Sequence, residues 1–164
     1  MSKKPRNISG RADDKSLHLL AFDEDDIAVL SAHLQDAITR IADIAYLPKE
    51  RRFALLTSRF DWTAAGEGKN RRRTAGLHFD HVLAVQRSGF RQDQRDVVLN
   101  LLSVVFEAGE APAGKITLVF SAGAAIRLEV ECIDAQLNDI GPGWRTRARP
   151  DHNLQDGNSE AENG

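Results

Sequence analysis

Residues 114–134, GKITLVFSAGAAIRLEVECID, decide the fold class. Ile116, Leu118 and Phe120 alternate with Lys115, Thr117 and Ser121 on one arm, and Ile126, Leu128, Val130 and Cys132 alternate with Arg127, Glu129 and Glu131 on the other. A period of two sends successive side chains to opposite faces, so one row is expected in a core and the other towards water. Ala122-Gly123-Ala124 joins the arms, and Gly123 can take the positive φ that short hairpin loops demand. The stretch predicts a complete β-hairpin whose charged row is ordinary solvent-facing alternation.

Working outward, Val97 to Phe106 reads as a strand with Leu99, Leu101 and Val105 on one face and Val98, Leu102, Val104 and Phe106 on the other. A one-sided sheet cannot accommodate both rows. Either a barrel and a helix cover both faces, or one face is a subunit interface. Gly109 to Gly114 is the turn into the hairpin, and the hairpin's second arm is expected to run to Ile140. Upstream, Arg73 to Gln86 reads as one strand with a phase change at Val82-Leu83. Arg51 to Trp62 reads as another, and its phase change at Leu55-Leu56 predicts a bulge or a strand buried on both sides. Asp43 to Leu47 and Leu17 to Ala21 are shorter extended pieces, Ala64 to Asn70 is a loop with Gly66 and Gly68, and regular structure fades after Gly141. Ile27, Leu30, Leu34, Ile38 and Ile41 recur every three or four residues, which predicts an amphipathic helix of roughly four turns capped by Asp23.

One N-terminal amphipathic helix plus about six mostly antiparallel strands is an α+β protein with a curled sheet or half-open barrel. The preferred arrangement is of pleckstrin-homology type, and a sheet with the helix flat across one face is the alternative. At 164 residues, 41% hydrophobic and 28% charged, the chain fits one soluble domain. That domain is expected over residues 17–149, between a flexible tail over 1–16 and a disordered acidic tail over 150–164. Lys3, Lys4, Arg6, Arg11 and Lys15 against Asp13 and Asp14 make the first tail +3, and Asp151, Asp156, Glu160 and Glu162 make the last −4. With a net charge of −2, the chain lacks the positive field of a general nucleic-acid binder. No run approaches the ~20 apolar residues that span a bilayer, and no apolar segment follows the N-terminal lysines as an export signal requires. The single cysteine excludes an intramolecular disulfide and a cysteine cluster, and both points favour a reducing, cytoplasmic setting.

Candidate chemistry is sparse. On a strand His78 and Asp80 share a face and can form an acid–base pair or two metal ligands, yet alternation alone already makes them neighbours, and a zinc centre needs three or four ligands. Cys132, on the inward row and beside Glu131 and Asp134, behaves as a small hydrophobe rather than a nucleophile. Ser58, Ser103 and Ser121 lack a nucleophile-exposing turn. Gly66-Glu67-Gly68 lacks the Gly-Lys-Ser/Thr that would cradle phosphate. Asp23 to Asp26 lacks the glycine and distal glutamate of a calcium loop. Arg71, Arg72 and Arg73 beside Phe60 and Trp62 can grip an acidic partner or nucleic acid, or simply protect a strand end. The sequence contains no catalytic set, no metal site and no cofactor motif.

Several blocks in one order carry a resemblance: Leu30-Ser31-Ala32 with Gln35-Asp36-Ala37, Arg52 to Leu56 with Arg59-Phe60-Asp61-Trp62, Leu101-Leu102-Ser103 with Phe106 to Gly109, and Ala125 to Glu131. Over Leu19 to Pro150 the chain resembles the bacterial family known as domain of unknown function 2948. That resemblance implies a small cytoplasmic bacterial domain and no particular activity, so it assigns no functional residue. The helix and strand patterns do not require the charged and amide positions inside the blocks, Gln35, Asp36, Arg52 and Arg59. They become candidate binding residues, together with Trp62 and Arg71 to Arg73. The expected function is a non-enzymatic binding or protein-interaction domain, with a protein partner or self-association. The alternative is an enzyme or small-ligand protein with a pocket between helix and sheet, using Gln35, Asp36, Arg52 or the His78/Asp80 pair. Nucleic-acid binding through Arg71 to Arg73 is the weakest reading.

Overall fold

The computed structural model describes residues 16–141 and 143–146. Among them the elements run β1 (His18–Ala21), α1 (Glu24–Leu34), β2 (Ile38–Arg40), β3 (Ile44–Leu47), β4 (Arg52–Phe60), α2 (Trp62–Gly66), β5 (Arg71–Phe79), β6 (Val82–Ser88), β7 (Val98–Ala108), β8 (Gly114–Phe120), β9 (Ala125–Val130), β10 (Ala135–Asp139) and β11 (Trp144–Arg145), with short 3-10 turns at Ile41–Asp43, Pro48–Glu50 and Ser121–Gly123. The strands form one antiparallel sheet in the order β1, β10, β5, β4, β2, β7, β8, β9, β6, with β3 on β4 and β11 on β5. The α+β class therefore holds, with eleven strands in place of about six. The path has two ends, β1 and β6. Its second half curls back so that the Val82 N–H donates to the Arg51 carbonyl and the Tyr46 hydroxyl to the Val82 carbonyl, both at 2.9 Å. No helix among the described residues is long and apolar enough to cross a membrane.

The hairpin forms as its alternation dictates. Gly114 faces Val130 and Leu118 faces Ile126. Ile116, Leu118, Phe120, Ile126, Leu128 and Val130 are all buried. Gly123 takes φ 78° in the loop, and Ala122 joins it at 61°. The arm stops at Val130, which leaves Cys132 outside the strand and only partly covered. Residues 135–139 then cross to the far half of the sheet as β10, between β1 and β5, instead of prolonging the arm to Ile140.

Helix α1 is shorter than its apolar spacing implies. Asp23 accepts from the Asp26 N–H at 2.8 Å, and Ile27, Leu30 and Leu34 are buried, but the helix ends at Leu34. Asp36 turns the chain with φ 67°, so Ile38 and Ile41 belong to β2 and a 3-10 turn. The competing interaction is the sheet: β2 bridges β4 and β7, and the Leu101 and Asp36–Ala37 backbones exchange two bonds of 2.8 Å. β-Branched Ile38 and Thr39 suit that role better than a helix.

Four further expectations change. Arg73 to Gln86 is two strands, because Asp80 and His81 break the run with His81 at φ 61°. The phase change at Val82-Leu83 is real, a register shift in the pairing of β6 with β9. None occurs at Leu55-Leu56, where β4 pairs with β5 without interruption from Phe53 to Phe60, so Leu56 points outward. In β7 a bulge at Leu102 reverses the phase, burying Val104 and exposing Val105. The Ser31 hydroxyl of α1 accepts from the Val104 N–H at 2.9 Å just past that bulge. Finally, the expected loop at residues 64–70 begins with the last turn of α2. The expected tails at 1–16 and 150–164 fall outside the described residues, except for Ser16.

The core lies between α1 and the concave side of the sheet, with Phe53 and Phe79 paired across β4 and β5 at 6.5 Å between ring centroids. Phe53→Ala should lower the unfolding free energy by about 3–5 kcal/mol in urea denaturation, because a fully buried ring leaves a cavity.

Candidate functional site

The inward rows of β4 and β5 change character along their length. From one end the facing pairs are Phe53 with Phe79, Leu55 with Leu77, Thr57 with Ala75, and Arg59 with Arg73. Strict alternation thus carries two arginines onto the core face, directly opposite each other, where like charges repel and an unpaired guanidinium is costly. Two carboxylates answer them. Asp139, at the end of β10, takes Arg59 bidentately, from Nε at 2.8 Å and Nη2 at 2.9 Å. Asp61, just past β4, accepts from Arg73 Nε at 2.8 Å, and Asp139 lies 3.8 Å from the same nitrogen. All four side chains are at least 94% buried.

The two carboxylates also hold backbone. Asp61 caps α2 by accepting from the Ala64 N–H at 3.0 Å, and Asp139 accepts from the Leu17 N–H at 2.7 Å. One charge-neutral quartet therefore joins β1, β4, β5, β10 and α2. Beside it opens a recess of about 170 Å³, with Ser16, Arg59, Asp61, Thr63, Glu67 and Arg73 among its lining. Burial pushes the Asp61 carboxyl up, but the hydrogen bonds from Arg73 and Ala64 and the charge of Arg59 hold it below its ordinary 3.8. His33, in the last turn of α1, feels the same charges. Burial and then Arg59 lower it below 6.5, against a smaller upward pull from Asp61 and Asp139.

Seven of the eight candidate binding residues gather at this end of the molecule, on two levels. Arg59 and Arg73 are interior. Around them, the Trp62 indole N–H donates to the Gln35 carbonyl at 3.2 Å, and Trp62 packs edge-on to Phe60 at 4.7 Å. Arg72 sits 5.9 Å over Phe60, donates to the Ser58 carbonyl at 2.9 Å, and is close enough to Asp36 to feel its charge. Arg71 begins β5, opposite Arg145 of β11. Arg52 stands apart at the far end of β4, where it donates to Asp80 at 2.7 Å, with His78 Nδ1 3.6 Å from the same carboxylate. His78 and Asp80 thus lie together on one face as alternation requires, in a cluster whose carboxylate is already committed to Arg52. Among the described residues no group of three or more histidine, cysteine or acidic side chains is arranged to hold a metal ion. The Cys132 thiol is pushed up by burial and by Asp134 and Glu131.

Asp61, Asp139 and His33 were not singled out from the sequence. The signal that could have found the two acids is the parity of Arg59 with Phe53 and of Arg73 with Phe79. Two arginines on core rows demand two buried carboxylates.

A family model described as a protein of unknown function, DUF2948, matches residues 17–152. The chain belongs to the DUF2948 family. The matched span of this DUF2948 chain takes in the whole quartet, both helices and every described strand. No curated protein matches the chain, and no solved structure does.

Asp61→Asn keeps a cap for α2 but removes the charge opposite Arg73, so it should cost about 3–5 kcal/mol of stability in denaturant titration. His33 binds protons less readily folded than unfolded. Its contribution is therefore present above pH 6.5 and lost as pH falls through the depressed folded value. Melting temperatures of the wild type should decline on acidification from pH 7, and His33→Gln should flatten that decline until the carboxylates titrate.

Proposed function

We propose that this DUF2948 chain is a non-enzymatic protein-interaction domain whose first partner is a second copy of itself, held by the outer face of the sheet. The observation that carries the reading is a row of apolar side chains on the face opposite α1. Leu56 is 46% exposed, Ile140 50%, Val98 51% and Trp144 44%. Register puts them on one side, since Leu56 faces Gly76, Ile140 is bonded beside Thr74, Trp144 faces Arg72, and Val98 faces Arg40 on the neighbouring β2. A Cβ at Gly76 would lie 3.3 Å from Ile140 Cδ1 and 3.9 Å from Leu56 Cδ2, so those two side chains lean together over the bare glycine.

Strands apolar on both faces belong in sheets covered on both sides, and α1 supplies only one cover. The rim favours a second copy over a charged partner. Arg40 is paired with Asp43 at 3.4 Å, and Arg72 is hydrogen-bonded to Ser58 with Asp36 nearby. Guanidiniums balanced within the chain neither repel an identical face nor attract an acidic one, and an apolar row is self-complementary about a two-fold axis. The non-enzymatic part is supported by where the charge goes: the quartet neutralises itself, Asp80 is committed to Arg52, and the thiol is poorly ionised.

Light scattering after size exclusion should give twice the 18.1 kDa chain mass at tens of micromolar. Leu56→Glu and Ile140→Glu should give the single mass with an unchanged circular dichroism spectrum, and Leu83→Glu, on the remote edge strand, should leave the dimer intact. A wild-type chain that stays monomeric at about 100 μM, weaker than roughly 5–6 kcal/mol of association, would overturn the proposal.

A further inference from the structure

The quartet explains why Arg59 and Arg73 are buried, but not why the structure stays open beside them. Of the five N–H donors of Arg59, two are taken by Asp139 and one makes a 3.4 Å bond to the Phe60 carbonyl. Two donors remain on a side chain that is 3% exposed and lines the recess. Three more groups on the same lining make no side-chain hydrogen bond or ion pair to another described residue: the hydroxyls of Ser16 and Thr63 and the carboxylate of Glu67. A buried guanidinium with spare donors thus shares one small recess with an uncompensated carboxylate and two hydroxyls.

We infer that this recess is a binding site for a small zwitterion, an amino-carboxylate of amino-acid size. The ligand's carboxylate accepts from the remaining N–H groups of Arg59, its ammonium donates to Glu67, and the hydroxyls of Ser16 and Thr63 complete the shell. Mixed sign decides the class. A simple anion meets Glu67 and Asp61, and a metal cation meets two guanidiniums, so each is opposed by half of the lining. Size decides the rest, because about 170 Å³ is well below the roughly 300–1,000 Å³ of sites for drug-sized molecules and excludes a nucleotide. The site is separate from the outer sheet face, which lies on the other side of β4 and β5.

Calorimetry and thermal shift on the full chain, with glycine, L-alanine and L-serine as probes, test the inference against the half-molecules acetate and ethylamine. A zwitterion should bind and raise the melting temperature, and neither half-molecule should match it within tenfold. Glu67→Gln, at the exposed mouth, should weaken the zwitterion about tenfold or more, the loss of one charge-assisted hydrogen bond, while leaving the unliganded melting temperature unchanged. Thr63→Val should weaken it less, and Leu56→Glu should not affect it, which separates this site from self-association. Absence of binding by all three probes at tens of millimolar, equal binding by acetate, or indifference to Glu67→Gln would each overturn it.

Discussion

Two arginines facing each other on the core side of adjacent strands impose the constraint around which one end of this molecule is built. Neither Arg59 nor Arg73 can turn to water without leaving the inward row, and neither can stay buried without a carboxylate. Asp139 and Asp61 come from segments far apart in sequence, so satisfying the arginines also fixes where β10 ends, where β1 begins and how α2 starts. Such a network is weak evidence for net stability, because desolvation offsets much of the attraction, but breaking it is expensive. Its effect is to make the relative placement of five elements an all-or-none matter.

The rest of the core is organised as a gradient away from that end. Phenylalanines fill the far end of the β4–β5 ladder, aliphatic side chains follow, then a buried threonine pair, Thr39 to Thr57 at 2.8 Å, and last the charges. Helix α1 packs chiefly on β7 and also on β1 and β4, with Ile27, Leu30 and Leu34 buried and His33 near enough to the quartet to feel its charges. The two faces of the sheet are thereby given different work. The concave face holds the core and ends in a polar recess, whereas the convex face keeps Leu56, Ile140, Val98 and Trp144 towards solvent.

Periodicity was a good guide where one interaction dominated. In the hairpin every inward residue from Ile116 to Val130 has a directly opposed apolar partner or neighbour, so the pattern and the pairing agree. It misled where two periods competed. Ile38 and Ile41 continue the helical spacing of Leu30 and Leu34, but the backbone bonds available from β4 and β7 outweigh two more turns of helix. In residues 52–60 adjacent Leu55 and Leu56 look like a slip in phase, although the strand is regular and Leu56 is exposed. That misreading concealed Arg59, since regular alternation would have placed it inside, opposite Arg73. Seven of eight candidate binding residues still fell at one end of the fold, because the end of β4 pairs with the start of β5 and Trp62 reaches across to Gln35.

By itself the sequence determined the elements whose pairing is local: the hairpin of β8 and β9, the capped start of α1, and an α+β protein with one cysteine and no metal-binding spacing. Only the tertiary structure decided the strand order, the bulge that turns Val105 outward, and the meeting of Arg59 and Arg73 with Asp61 and Asp139. The reason is physical. A hairpin is specified by neighbours a few residues apart, whereas a buried charge chooses its partner by the cost of desolvation, and the carboxylate that meets Arg59 lies eighty residues away along the chain.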